Sequence, residues 1–467
     1  MQRNILTLSL SALLFLSGCS FNPELNVPVM ELPDNQESAL HVDAKWWEKF
    51  GDASLSALVE EALRSNHDIK LSALRILKAK QAYGLSDANL YPNLNATAGS
   101  TRQKTSAETY TSAPSKHYTD NAMALNLSYE IDFWGKLSSG SESNWELYLA
   151  SASAAQTVKN TLIHDIIVAY FNLASLSERL RIVDETTQTF KNTYEFRLKQ
   201  LKLGSINELL VAQAHAQYLN TLNTQASLQE SKKLQENALF LLLGKSPKAF
   251  FETHAINVTA LPKAISIPKG IPSSLMESRP DIQEALFSLK SKNALIGVEK
   301  AAYFPSISLT GSYGQQSESL DNILQSSANR WSFGPSLSVP IFDFGRIKTR
   351  VALSETELEM ALQSYEQTVK KAYKEVSDAL GRHAILHAKV RTNEDEIAAY
   401  TKAVTVSTKR FDAGAITYLE VLEAQKGLLS ARLNATSTQQ AYLISQAELF
   451  KALGGGWNEK DLLGEKQ

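Results

Sequence analysis

The sequence predicts a mainly α-helical chain with a smaller β part that is a share of a β-barrel, built as two tandem copies of one unit. Three observations predict it. Leu127-Ser128-Tyr129-Glu130-Ile131-Asp132-Phe133-Trp134-Gly135-Lys136-Leu137 is repeated 210 positions later as Leu337-Ser338-Val339-Pro340-Ile341-Phe342-Asp343-Phe344-Gly345-Arg346-Ile347. Gly204-Ser205-Ile206 and Leu243-Gly244 return at the same distance as Gly414-Ala415-Ile416 and Leu453-Gly454. Upstream, Asp68-Ile69, Gly84 and Pro92 return as Asp281-Ile282, Gly297 and Pro305 at a distance of 213. The second observation is two stretches with neither Gly nor Pro, Ser141–Leu203 and Ser205–Leu243. These two residue types are what break helices. The third is apolar alternation with period two between the helical stretches, which is strand chemistry.

The elements follow in order. Met1-Gln2-Arg3 and the apolar run Ile5–Leu16 form a leader, 1–18, too short to span a bilayer as a helix. It ends at Leu16-Ser17-Gly18-Cys19, where the only cysteine of the chain stands. This resembles a lipobox, which implies cleavage before Cys19 and a lipidated cysteine as the new first residue. Ser20 at the next position favours the outer membrane in that resemblance. An extended segment, 19–50, leads to the first repeat, 51–244. Within it the sequence predicts helices, a hairpin over ~92–133, a long helix over ~136–203 and a returning helix over ~206–243. Leu162, Ile166, Ala169, Leu173, Leu176, Leu180 and Val183 form a heptad seam in the long helix, the repeat of helices that wrap around one another. A Pro-rich linker, 245–275, joins the second repeat, 276–453, with its hairpin at ~305–342, long helix at ~346–413 and returning helix at ~416–453. A tail, 454–467, closes the chain. Gly204 and Gly414 read as the tight turns between long and returning helices.

Composition excludes several classes. With 467 residues, 47 Lys+Arg against 49 Asp+Glu leave a net charge of −2, so there is no basic field for nucleic acid. One cysteine excludes a disulfide framework and any zinc site of several thiolates. A hydrophobic share of 43% excludes a polytopic helical membrane protein. Alternating strands escape that test. Met123, Leu125, Leu127, Tyr129, Ile131 and Phe133 form one face of a strand, and Ile307, Leu309 and Tyr313 form another. Trp331, Phe333, Leu337, Val339 and Ile341 make a fourth, interrupted by Pro335 and Pro340. The strand after Pro92 is weaker, with Leu94, Ala96 and Ala98. Tyr91, Trp134, Phe304, Trp331 and Phe344 stand where the aromatic rims of a membrane barrel would lie. Four strands cannot close a barrel, since about eight is the smallest seen, and an open edge in lipid is not viable. Strands from several chains are therefore expected in one barrel, and three chains would give twelve.

These features resemble the TolC family of outer-membrane efflux proteins, in particular the lipoprotein branch that serves multidrug efflux pumps. The most specific stretches are Ser128–Lys136, Arg410-Phe411-Asp412-Ala413-Gly414-Ala415-Ile416-Thr417-Tyr418-Leu419-Glu420-Val421-Leu422-Glu423-Ala424-Gln425, Arg279-Pro280-Asp281-Ile282 and Phe304–Leu309. The resemblance implies a homotrimer in outer-membrane lipid, a twelve-stranded barrel continued by a periplasmic coiled-coil barrel of helices, and no catalysis or cofactor. It implies a periplasmic adaptor (membrane fusion) protein and an inner-membrane efflux transporter as partners. The helix turns at Gly204 and Gly414 would meet the adaptor. Glu420 and Glu423 would form carboxylate rings at the periplasmic aperture beside an apolar constriction at Leu419. Their first-repeat counterparts, Leu210 and Gln213, are uncharged. Two other functions are weighed against this duct for small toxic compounds: a duct for type I protein secretion, and a lipid-anchored coiled-coil envelope protein that conducts nothing.

Other motifs read as structure. His383 and His387 are spaced for a metal pair, but Ala384 stands where a metalloprotease needs Glu, and His383 aligns with Leu173 on the heptad seam. Gly244-Lys245-Ser246 lacks the upstream Gly of a phosphate loop and reads as a helix end. Asn95-Ala96-Thr97 fits a glycosylation sequon without meaning in a bacterial outer membrane. Glu48 beside Trp46 and Trp47 reads as packing, and no metal site or acid/base pair emerges.

Overall fold

The computed structural model describes residues 21–27, 45–104, 106, 117–246, 248, 258, 260–265 and 279–456. The leader, Cys19 and most of the linker and C-terminal tail lie outside the described residues. A 3₁₀ turn, Trp46–Phe50, precedes α1 (Ala53–Ser65), α2 (His67–Ala88), β1 (Asn93–Lys104), β2 (His117–Ile131), α3 (Lys136–Lys202) and α4 (Glu208–Leu242). After the linker come α5 (Pro280–Ala301), β3 (Ser306–Ser317), β4 (Asn329–Ser338), α6 (Arg346–Asp412) and α7 (Tyr418–Ala452). The duplication is visible in the lengths: α3 and α6 both have 67 residues, α4 and α7 both 35, and α2 and α5 both 22. At 1.5 Å per residue the 67-residue helices are about 100 Å long. No described helix is long and apolar enough to cross a membrane.

The four strands form one antiparallel sheet in the order β1-β2-β3-β4. Pairing of Leu94 with Leu127, of Leu125 with Tyr313 and of Tyr313 with Trp331 places the apolar residues of all four strands on one face. That face stays open to the surroundings: Leu94, Tyr313, Trp331, Phe333 and Leu337 are all exposed. The opposite face carries small polar groups that bond across strands. Asn126 Nδ2 donates to Thr97 Oγ1 at 3.0 Å, and Ser312 Oγ donates to Asn126 Oδ1 at 3.0 Å. The sequence alternation predicts β4 as far as Ile341, but the strand ends at Ser338. Pro340, which has no N–H to give a ladder, stands two residues on.

The chain folds into two compact units, each drawn from both repeats. One, with described residues from 21–27, 75–152 and 284–366, holds the sheet and its junctions to the helices. There Trp134 stacks on Phe304 with ring centroids 4.6 Å apart, and its indole N–H donates to Pro305 O at 2.8 Å. Phe21 stacks on Phe304 at 4.7 Å, and Asn22 Nδ2 donates to Glu142 Oε2 at 2.7 Å. Asn22 lies so close to the backbone at Gly297 that a Cβ there would come within 1.9 Å of Asn22 Oδ1. The absent side chain makes the seat for the N-terminal segment.

The other unit draws on 45–74, 153–283 and 367–456. Its core contains the seam of α3, with Leu162, Ile166, Ala169, Leu173 and Val183 buried. Trp46 and Trp47 are buried too, Trp46 stacking on Phe450 at 5.1 Å. Asp52 caps α1 by accepting from Ser54 N at 2.8 Å and also accepts from Tyr170 O–H at 2.6 Å. In the linker, Ile265 exchanges two backbone hydrogen bonds with the buried Gln446 side chain of α7, at 3.0 and 2.8 Å.

Candidate functional site

The site predicted from sequence lies where the long helices turn back. Both turns have the same construction. Gly204 and Gly414 take φ of 71° and 73°, a left-handed conformation that costs any residue with a Cβ. Ser205 N–H reaches back to Gln200 O at 3.0 Å, and Ala415 N–H to Arg410 O at 2.8 Å. These bonds occupy carbonyls that the helix ends would otherwise leave bare. The side chain of Asn207 then caps α4, accepting from Leu210 N at 3.3 Å. At the second turn Thr417 and Glu420 form a capping box, in which Thr417 N–H donates to Glu420 Oε1 at 3.4 Å.

The first turn of α7 divides its side chains. Tyr418, Val421 and Leu422 are buried, whereas Leu419 is 50% exposed and Glu420 and Glu423 are exposed. The structure thus brings Leu419, Glu420 and Glu423 onto one outward face next to the Gly414 turn. Glu423 bonds to Lys426 Nζ at 3.1 Å on the same helix. An exposed pair of this kind contributes little to stability.

Under that face lies a cluster that the sequence reading missed. Arg197, from the last turns of α3, stacks its guanidinium over Phe411 at 4.7 Å and Tyr418 at 5.0 Å. Phe411 and Tyr418 meet edge to face at 5.6 Å, with Tyr194, Leu210 and Ile416 around them. Burial raises the Tyr418 phenol above the ordinary tyrosine range, with Arg197 pulling the other way, so the phenol is neutral at physiological pH. The signal for the capping box was present as Thr417-Tyr418-Leu419-Glu420. The Arg197 contact had none, because Arg197, Phe411 and Tyr418 come from three separate helices.

The histidine pair packs as its seam position suggests. His383 stacks on Tyr442 at 5.0 Å and His387 lies 5.6 Å from the same ring. Burial, and then the neighbouring His387, lower the His383 pKa below the ordinary histidine value. Among the described residues no group of three or more His, Cys, Asp or Glu is placed to hold a metal ion.

The comparisons with known proteins bear on this arrangement. The family described as outer membrane efflux protein matches residues 58–245 and 271–455, one span for each repeat. The chain belongs to that family. Outer-membrane efflux proteins similar to it include the cation efflux system protein CusC of Escherichia coli O6:H1, 32% identical over 96% of this chain and 97% of that protein. The solvent efflux pump outer membrane protein SrpC of Pseudomonas putida is 30% identical over 97% of this chain and 98% of its own length. The crystal structure of the Campylobacter jejuni CmeC outer membrane channel superposes with a TM-score of 0.89 at 25% identity, covering 96% of this chain and 98% of that one. This family membership places the protein in the outer membrane as a transport duct and not as an enzyme.

Proposed function

We propose that three copies of this chain form the exit duct of a tripartite efflux pump, passing small toxic compounds from an inner-membrane transporter and a periplasmic adaptor to the exterior. The observation that carries this reading is the sheet: one face apolar and uncovered, the other lined by Ser, Thr, Asn and Gly, and a strand without a partner at each edge. The apolar face suits lipid, the polar face suits a wet lumen, and the edges suit closure with other copies. Cys19 is the lipid anchor in this reading. Its support is Phe21, two residues on, packed on the Trp134–Phe304 pair at the sheet–helix junction. The turns at Gly204 and Gly414 present the adaptor-facing ends. Relatives named for cations and for solvents share the whole length, so selectivity among compounds is assigned to the transporter.

Leu419, Glu420 and Glu423 form the gate. Repeated around a three-fold axis, the carboxylates repel one another unless cations or protons intervene, and such rings favour cations. The test must separate charge from helix capping, because Glu420 also caps α7. Gln serves in a capping box as Glu does. The double variant Glu420→Gln, Glu423→Gln is expected to raise single-channel conductance in planar bilayers and to weaken block by divalent cations. Unchanged conductance and block would remove the gate assignment. Absence of any conductance from the purified wild-type protein would return the chain to a non-conducting spacer.

A further inference from the structure

A groove between the long helices has no part in the duct proposed above. On α7, Gln425, Leu428, Leu429 and Arg432 are spaced by three and four residues and so share one face. Thr186, Thr189 and Phe190 of α3 line the groove with them, together with Val404 of α6. Its volume is about 240 Å³. The wall formed by α6 and α7 is fixed at this level by Tyr400, whose ring lies so near Gly427 that a Cβ there would come within 2.2 Å of it.

The polar groups of the groove are out of balance. Gln425 Oε1 is buried and accepts no hydrogen bond among the described residues. The half-buried Arg432 guanidinium meets no carboxylate, carbonyl or ring among them either. The carboxylate at the rim, Glu185, is already paired with Arg181 one turn back on α3. Thr186 and Thr189 donate to Ile182 O at 2.8 Å and Glu185 O at 3.0 Å, so their oxygens are left only to accept. The fold does not require the charge: Leu222 stands at the matching place in the first repeat. There His215 replaces Gln425 and stacks on Tyr194 at 4.5 Å.

We infer that this groove binds a single-ring organic anion, its carboxylate on Arg432 and a hydroxyl or amine at its far end donating to Gln425 Oε1. Each observation narrows the ligand. A free guanidinium takes a carboxylate through two parallel hydrogen bonds. A buried acceptor without a partner calls for a donor. Phe190, Leu428 and Leu429 between them suit an aromatic ring. The volume falls below the roughly 300–1,000 Å³ of drug-sized sites, which leaves room for one ring. Gln425 and Arg432 are seven residues apart, about 10 Å along the helix axis. Long side chains on a helix lean toward its N-terminus, which brings the guanidinium back toward the amide. A ring with its two polar groups at opposite ends fits that interval. Arg432 repels a metal cation, and a wholly apolar guest would leave both polar groups unmet.

The probe is 4-hydroxybenzoate, titrated by ligand-observed NMR against the full-length protein in lipid nanodiscs. Saturable binding is expected. Benzoate and 4-methoxybenzoate, which lack the donor, should bind about fivefold or more weakly, and phenol, which lacks the anion, about ten- to hundredfold more weakly. Arg432→Met should bring 4-hydroxybenzoate down to the level of phenol, with Arg432→Lys, which keeps the charge without the fork, in between. Gln425→Met should make 4-hydroxybenzoate and 4-methoxybenzoate bind alike, and Thr189→Phe, which fills the groove, should abolish binding of both. The absence of saturable binding to the wild-type protein overturns the site. Phenol binding as well as 4-hydroxybenzoate overturns the anion, and 4-methoxybenzoate binding as well overturns the donor to Gln425. Unchanged affinity in Arg432→Met or Thr189→Phe, in protein that melts as the parent does, places the ligand elsewhere and overturns the groove. The series of four ligands on the wild-type protein decides the matter even where a variant fails to fold.

Discussion

The returning helices α4 and α7 have the same length and the same glycine turn before them, yet their ends differ in charge. At the turn, Leu210 and Gln213 of the first repeat stand where the second has Glu420 and Glu423. At the far end, each helix is clasped by the residue that precedes the 22-residue helix of its own repeat. Asn66 Nδ2 donates to Leu242 O at 2.8 Å, and its counterpart Arg279 donates from Nη1 to Ala452 O at 2.7 Å. Asn66 is a neutral amide whose oxygen also caps α2, accepting from Asp68 N at 2.7 Å. Arg279 is a buried guanidinium held by Asp281 and Glu375, each at 2.7 Å. Burial works against its charge, but the two carboxylates outweigh that and keep its pKa above the ordinary arginine value. Duplication copied the backbone contacts. The charges at positions 279, 420 and 423 stand in the second copy alone, at the two ends of α7, where the first has Asn66, Leu210 and Gln213.

The clasps give the largest expected contrast. Arg279→Ala leaves the Ala452 carbonyl bare and Asp281 without its cation, while Glu375 keeps only Lys371, at 4.0 Å. Breaking a buried pair costs about 3–5 kcal/mol. Because Asp281 and Glu375 keep 29% and 39% of their side-chain surface, the expectation is reduced to about 2–3 kcal/mol. Asn66→Ala is expected to cost about 1–2 kcal/mol, as a cap and one hydrogen bond. Denaturant unfolding of both variants in detergent measures the difference, and equal losses would mean that charge adds nothing to the clasp.

Next come the turns, where the repeats should agree. Gly204→Ala and Gly414→Ala meet no neighbouring atom within 4 Å, so only the left-handed backbone is penalised. Each should cost about 1–2 kcal/mol, and by the same amount. A clear inequality would show that the turns differ in packing as well as in charge. Asn207→Ala should cost about 1 kcal/mol of cap, while Glu420→Gln should cost almost nothing, because the amide still accepts from Thr417 N–H.

The smallest effect concerns acid. A histidine whose folded pKa is depressed stabilises most above its unfolded value. That contribution fades as pH falls below about 6.5. Mild acid should therefore loosen the His383–Tyr442 contact, with His387 beside it and Arg382 paired to Glu448 one helical step away. His383→Phe keeps the stack and should flatten the thermal stability between pH 5 and 7 relative to the parent. An unchanged slope would assign the pH dependence to another group.

The repeat, both helix pairs and the apolar face of the sheet were legible because each depends on period, spacing or punctuation along the chain. The stopping point of β4 was legible in principle, since Pro340 forbids a further ladder bond. Capping by Glu420 is equally written in Thr417-x-x-Glu420, where one carboxylate has both a capping and a proposed gating role. The Arg197 cluster and the Asn66 and Arg279 clasps were not legible. Each is made by residues far apart in sequence, with Asn66 and Leu242 separated by 176 positions, and nothing local marks them.

The repeats differ by three residues in length, and the shared hairpin register confines that difference to the connection between strands. This has a consequence for how the gene can change. An added residue inside α3 would rotate everything beyond it by about 100° and carry the heptad seam off its partners. One added between β1 and β2 rotates nothing. Insertions that survive selection should therefore collect in the connections between paired strands, the same places where an epitope tag could be accommodated without moving a helix end.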